Sequence, residues 1–241
     1  MQAPGRTSPS CRHGVGIGED DRVLDLWIAL AGPAGAGKSS LSQAAGSAFR
    51  QEGLTVDVCG EEELFTRPKF DRVARQFRGP SAPAPEDLEA AYATWVASLP
   101  EQSVAVTDWS PAGMAGDLAW AVDEQPQFRR HLRAVRGLVA HAIVINLQVP
   151  VEVAVQRAAA ERGEEWLARS DLVAQAAGHN QPDRLARLHA SFLAHTIRTV
   201  AELRVAASAG WVVENIDASG SPQETLSHAL EALASVRRPK A

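Results

Sequence analysis

Val23-Leu24-Asp25-Leu26-Trp27-Ile28-Ala29-Leu30-Ala31 runs directly into Gly32-Pro33-Ala34-Gly35-Ala36-Gly37-Lys38-Ser39, and a small-residue, helix-compatible segment from Ser40 to Gln51 follows. The middle piece fits G-x-x-x-x-G-K-[ST], the Walker A or phosphate loop, and its context of apolar strand before and helix after is the one the motif requires. Gly35 and Gly37 permit backbone angles that side chains disfavour, so successive N–H groups can face one concavity. A helix starting near Lys38 adds its positive end there, and an anion gathers. The stretch predicts a nucleoside triphosphate on Gly32, Ala34, Gly35, Ala36, Gly37, Lys38, Ser39 and Ser40. Lys38 would reach the β- and γ-phosphates, and the Ser39 hydroxyl would ligate Mg²⁺. With ordinary glycine usage, the pattern arises by accident in roughly one chain of this length per hundred. The lysines are Lys38, Lys69 and Lys240 alone, against 21 arginines, so a lysine at this place is kept for its compact charge.

Working outward, the 241 residues carry 45% hydrophobic and 22% charged residues, the composition of one α/β domain with a sizeable core. A formal net charge of −5 argues against a general nucleic-acid or anionic-membrane binder. No apolar run approaches the ~20 residues that span a bilayer. Cys11 and Cys59 suggest neither a disulfide framework nor a metal site, and a cytoplasmic location is expected. Residues 1–20 read as a disordered tail without periodicity, and residues 21–241 as a single domain. Gly14-Val15-Gly16-Ile17-Gly18 lacks a preceding strand and carries no dinucleotide signal.

Beyond the first helix, Thr55–Cys59 reads as a second strand ending at Gly60-Glu61-Glu62-Glu63. Those carboxylates suit a helix start. They equally suit a group near the γ-phosphate that deprotonates an acceptor hydroxyl, since parallel strands deliver functional residues at their carboxyl ends. Residues 64–82 mix Phe70, Val73 and Phe77 on one helical face with Arg72 and Arg75 on another. That pattern fits either a cover over the acceptor or a solvated basic face. A helix from Glu86 carries Leu88, Ala91, Tyr92, Trp95 and Leu99 at helical spacing, and Pro100 ends it.

Ser103–Thr107 is a third strand delivering Asp108-Trp109-Ser110, where Asp108 suits either a helix cap or a hold on the metal. Helices over 114–122 and 126–137 follow, with Arg129, Arg130, Arg133 and Arg136 read as a solvated face. Ala142–Gln148 is an apolar, central fourth strand. The next helix carries Arg157 and Arg162 and runs into Gly163-Glu164-Glu165-Trp166, a candidate lid over residues 157–170; the alternative is a set of (i, i+4) ion pairs. A long helix over Pro182–Ala206 points Leu185, Leu188, Phe192 and Leu203 toward the core, with His189 and His195 read as surface or capped polar groups. Trp211–Ile216 is a fifth strand, followed by a turn at Asp217–Pro222 and a helix to Val236. Alternating strands and helices imply a mostly parallel sheet covered on both faces.

In this order of elements the chain resembles the nucleoside and nucleotide kinases, in particular the thymidylate kinase and deoxynucleoside kinase branch. The resemblance spans about residues 23–236. It rests on the phosphate loop, on the acidic cluster after the second strand, on Asp108-Trp109-Ser110, on Arg157 with Arg162-Gly163-Glu164-Glu165, and on Ile216-Asp217-Ala218-Ser219-Gly220-Ser221-Pro222. It implies a three-layer P-loop kinase fold with a five-stranded parallel sheet in the order 2-3-1-4-5. It implies Glu61 or Glu62 as catalytic base, Asp108 with Ser39 at Mg²⁺, Arg157 and Arg162 at the transferring phosphate, and Ala218 and Ser219 under adenine. Trp109 stands where the family carries arginine, and the thymidylate kinase Arg-Glu-Pro signature is missing, so the acceptor need not be thymidylate or any nucleotide. The expectation is an ATP- and Mg²⁺-dependent kinase of a small-molecule acceptor, with a homodimer left open. The rival expectation is a nucleotide-dependent regulator or partner-binding ATPase.

Overall fold

The computed structural model describes residues 24–64, 66–77, 83–117 and 125–237. The tail expected over 1–20, Cys11 and the end of the helix expected over 114–122 lie outside them. The architecture is α/β: five strands, all parallel, in the order β2-β3-β1-β4-β5, with helices packed around the sheet.

β1 (Leu24–Ala31) occupies the centre, between β3 (Ser103–Thr107) and β4 (Val139–Gln148). A central parallel strand is buried on both faces, which accounts for its unbroken apolar run. Leu26, Ile28 and Leu30 face a layer formed with Leu41, Ala45 and Phe49 of α1 (Lys38–Gln51) and Ala229 and Leu233 of α9 (Pro222–Arg237). Trp27, Ala29 and Ala31 face the opposite layer, where Tyr92 and Trp95 of α4 (Pro85–Val96) and Phe128 and Leu132 of α6 (Gln125–Arg136) pack. Strict alternation would place Leu24 with Leu26. The β1–β3 register shifts between Leu24 and Leu26, and this bulge turns Leu24 to the Trp27 side and leaves Asp25 exposed.

β2 (Val56–Cys59) is the edge strand beside β3, and α2 (Glu61–Leu64) starts one residue after it ends. Within the stretch 64–82, the described residues 66–77 do not form one amphipathic helix. A 3-10 turn at Pro68–Phe70 precedes α3 (Asp71–Phe77), burying Phe70 and Val73, while Arg72 and Arg75 stand exposed and pair with Asp87 and Asp71. The basic face there is a solvated one. Arg136, expected on a solvated face of α6, instead donates to the carbonyls of Gly210 (3.1 Å), Val139 (2.7 Å) and Ala140 (2.9 Å). It fastens the end of α6 to the start of β4.

α5 (Pro111–Asp117) follows β3, and β5 (Val212–Asp217) closes the sheet. Between β4 and β5, α7 (Val151–Ala176) and α8 (Arg184–Ser208) make an antiparallel pair. Arg187 clasps both oxygens of Asp171 across it, at 2.6 and 2.8 Å, and donates to the Gln181 carbonyl at 2.8 Å. The Asp183 carboxylate caps α8 by accepting from Ala186 N–H at 2.9 Å. Leu188 and Leu203 are buried as expected, but Leu185 is 55% exposed. Helical periodicity in the first turn of α8 does not translate into burial. No helix among the described residues is long and apolar enough to cross a membrane.

Candidate functional site

The carboxyl end of β1 becomes a loop whose three glycines have φ of 130° (Gly32), 76° (Gly35) and 89° (Gly37). Gly37 is the left-handed N-cap of α1, and its carbonyl accepts from Leu41 N–H at 2.9 Å. Gly32 and Gly35 answer to packing as well as to backbone angle. A Cβ at Gly32 would lie 2.7 Å from the Leu147 carbonyl oxygen, and one at Gly35 would fall onto the Ala154 carbonyl oxygen of α7. The loop is pressed between β4 and α7, and Gly37 alone of the three has open space around it. The Lys38 ammonium folds over the loop, donating to the carbonyls of Gly32 (2.7 Å) and Pro33 (3.0 Å).

The aromatic core places the carboxylate opposite. The Trp27 indole N–H donates to the Thr107 hydroxyl at 3.1 Å, and that hydroxyl donates to the Trp109 carbonyl at 2.7 Å. Trp109 stacks on Tyr92 with ring centroids 5.7 Å apart and meets Trp27 edge-on at 5.8 Å. This is why tryptophan stands at 109: its ring completes the core while its backbone carries Asp108 and Ser110 to the rim. Asp108, between the two fixed residues, accepts from the Ser39 hydroxyl at 2.7 Å through one oxygen and from Glu61 N–H at 2.6 Å through the other. One buried carboxylate thus joins the phosphate loop, the end of β3 and the start of α2.

That bond directs the three glutamates. Glu61 lines the cavity over the phosphate loop, Glu62 is exposed and does not, and Glu63 turns to Arg67 at 2.9 Å. Arg67 also binds Asp57 at 2.8 Å and the Val58 carbonyl at 3.0 Å, so Glu63 belongs to a brace across the edge strand. Cys59 beneath it is buried, and burial pushes its thiol up to about 12, outweighing the opposing pull of Arg67. It stays an inert thiol at neutral pH.

The cavity has a volume near 250 Å³. Besides the loop, Glu61 and Asp108, its walls are Trp109, Ser110, Gly113 and Met114 on one side, with Glu161 and Arg162 of α7 and His195 and Thr199 of α8 on the other. Arg162 lies with its guanidinium carbon 5.7 Å over the Trp166 ring. Arg157 is not in this cavity. It donates to the carbonyls of Ala218 (2.7 Å), Ser219 (2.9 Å) and Gly220 (3.1 Å), and so lines a second hollow of about 320 Å³ between α1, α7 and the start of α9. The two arginines five apart therefore serve different places, one the phosphate cavity and one the loop after β5. Gly163, at φ 73° and ψ −171°, breaks α7 one residue after Arg162. Arg169 pairs with Glu165 at 3.1 Å and lies outside the phosphate cavity.

The loop after β5 is ordered by its own hydrogen bonds. Asp217 accepts from Ser219 N–H at 2.9 Å, Ala218 N–H donates to the Gln148 carbonyl at 2.8 Å, and Glu224 accepts from both Ser221 N–H and its hydroxyl. The Ser219 and Ser221 bonds hold the Asp217 and Glu224 carboxyls below their ordinary range. Of the two residues expected at a base site, Ala218 lines the second hollow, and Ser219 is held by Arg157 through its carbonyl.

Reading the residues missed the α5 and α8 walls. His195 and Thr199 sit on a helix whose apolar spacing marks it as core, and only the crossing of α8 over the loop brings them in. For an Mg²⁺ ion the donor set fits: a hydroxyl and a carboxylate oxygen adjoin the phosphate loop, and Mg²⁺ takes oxygen ligands while keeping several waters. Ser39 and Asp108 would hold it. No protein-family model matches the chain, and no curated protein matches it either. Fold and geometry therefore define its class: a three-layer α/β protein with a glycine-rich loop at the centre of a 2-3-1-4-5 parallel sheet.

Proposed function

We propose that the protein is an ATP-dependent kinase that moves the γ-phosphoryl group to a hydroxyl, or a phosphate, of a small molecule. It would be a member of the nucleoside and nucleotide kinases in the broad sense. The single observation carrying the reading is Asp108. It bonds the Ser39 hydroxyl and the Glu61 amide at once, and so brings the metal-holding group and a candidate base to the same loop.

In this reading the triphosphate lies on the amides of Gly32–Ser40, and the base lies in the hollow beside Ala218, over which Arg157 is braced. Lys38 leaves the loop carbonyls for the β- and γ-phosphates. Ser39 and Asp108 would hold Mg²⁺, which would supply charge neutralisation at the phosphate oxygens. Glu61 accepts the proton of the acceptor hydroxyl as its oxygen bonds the γ-phosphorus. The bond from that phosphorus to the bridging oxygen breaks, and ADP leaves. Arg162 offsets charge on the transferring group.

The test is acceptor-dependent ADP release over a panel of small hydroxyl compounds and nucleotides, in wild type and in Lys38→Ala. At least one compound should raise ADP release, and Lys38→Ala should abolish the increase while melting at the wild-type temperature. Slow hydrolysis that no acceptor stimulates would favour a nucleotide-dependent regulator. Near-wild-type turnover in Lys38→Ala would overturn the site.

A further inference from the structure

Beside the phosphate cavity lies another of about 290 Å³, between α7 and α8. Pro33, Val173, Leu188 and Phe192 give it apolar walls, and Arg169 stands in its lining. It adjoins the phosphate cavity: Ala34 and His195 line both. His195 is thus the waist between a polar chamber that carries Glu61, Asp108 and Arg162 and an apolar one that opens beside the 62% exposed Val173.

Two further contacts tie the chambers together. Arg198 donates to His195 Nδ1 at 3.2 Å, and a guanidinium only donates, so Nδ1 is the accepting nitrogen. With Nδ1 accepting, Nε2 is the ring's donor, 3.5 Å from the Thr199 hydroxyl at the phosphate cavity. Phe192 meets Trp166 edge-on, centroids 6.2 Å apart at 90°, and Trp166 carries Arg162 over its face. A ring lodged against Phe192 bears on the support of the arginine that lines the phosphate cavity. Apolar burial in one chamber and charge placement in the other are joined through two aromatic rings.

Resting on the kinase reading, we infer that the acceptor is a hydroxyl compound carrying an apolar ring or chain. The hydroxyl reaches Glu61, the apolar part fills the α7–α8 cavity, and His195 donates from Nε2 at the junction. A bare sugar or polyol leaves the apolar chamber wet. A phenyl-sized group buries enough surface there to raise affinity by at least about tenfold.

The first arm of the test is independent of turnover. In an equilibrium titration with 1-anilinonaphthalene-8-sulfonate, the probe should bind saturably at one site per chain. Val173→Asp, at an exposed position where the fold tolerates charge, should weaken it at least about tenfold. Absence of saturable binding, or binding that Val173→Asp leaves unchanged, overturns the cavity as a ligand site. The second arm compares glucose with phenyl glucoside, and ethylene glycol with 2-phenoxyethanol, in acceptor-dependent ADP release. The ring-bearing member of each pair should have the higher kcat/KM, by about tenfold, and Val173→Asp should erase the preference with the KM for ATP unchanged. Equal use of both members overturns the inference and leaves the kinase reading standing. ADP release that no compound stimulates removes the kinase reading and the acceptor role together.

Discussion

Gly35→Ala and Gly37→Ala make the same chemical change two residues apart, and the structure separates them. Both positions have φ in the left-handed region, 76° and 89°, so each alanine carries a conformational cost of about 1–2 kcal/mol. At Gly37 the added methyl meets open space, and the backbone cost is the whole effect. At Gly35 it falls onto the Ala154 carbonyl oxygen and lies 2.9 Å from the Ala158 nitrogen. Those are helix backbone atoms with no rotamer to yield, and Ala154 and Ala158 are fully buried, so α7 must move off the loop. Forced overpacking of that kind adds about 1–3 kcal/mol. Gly35→Ala should therefore lower the unfolding free energy by about 2–5 kcal/mol against about 1–2 for Gly37→Ala. Urea unfolding of the nucleotide-free proteins, monitored by tryptophan fluorescence and far-UV circular dichroism together, reads the difference. Equal losses, or a larger loss in Gly37→Ala, would refute the packing of the loop against α7.

Glu61→Gln should lose about 10²–10⁴-fold in turnover while keeping ATP affinity, whereas Glu62→Gln and Glu63→Gln should stay within a few-fold. Turnover and ATP binding in all three decide it, and an intact Glu61→Gln would make Asp108 the leading candidate for the base. Asp108→Asn should raise the Mg²⁺ concentration needed for half-maximal activity, and an unchanged Mg²⁺ titration would remove Asp108 from the metal. Residues 157–170 should gain hydrogen-exchange protection when nucleotide and acceptor are both bound, because Gly163 breaks the helix beside Arg162; equal protection in both states would count against a lid. The Arg187 bonds hold the Asp171 carboxyl below its ordinary value of 3.8. A depressed folded value means stabilisation present above the unfolded value and lost as pH falls through the folded one. Asp171→Asn should thus cost stability at pH 7 and progressively less as pH falls below the ordinary value of 3.8, and denaturation measured across that range checks the sign.

The sequence by itself determined the phosphate loop, the five strands and their parallel sense. Each rests on local chemistry: glycines where φ must be positive, a lysine in an arginine-rich chain, and, in β1, β3 and β4, apolar runs too continuous for a half-exposed sheet. Even so, β4 starts at Val139, before the Ala142 expected, because its first residues pair with Leu24 and Leu26 of β1, a partnership no local pattern displays. Asp108 and Glu61 were legible as strand-end carboxylates, and Glu61, Glu62 and Glu63 only as a ranking. Tertiary structure separated the three, since a hydrogen bond from the Glu61 amide to Asp108 and an Arg67 brace on Glu63 join residues far apart in the chain. It also sent Arg157 to the loop after β5 and Arg162 to the phosphate cavity, because five residues on a helix turn two side chains to different faces. His195 and Thr199 entered the site only through the crossing of α8 over the loop. Crossing is a property of helix packing, and a residue's own neighbours in sequence do not encode which cavity its helix will pass over.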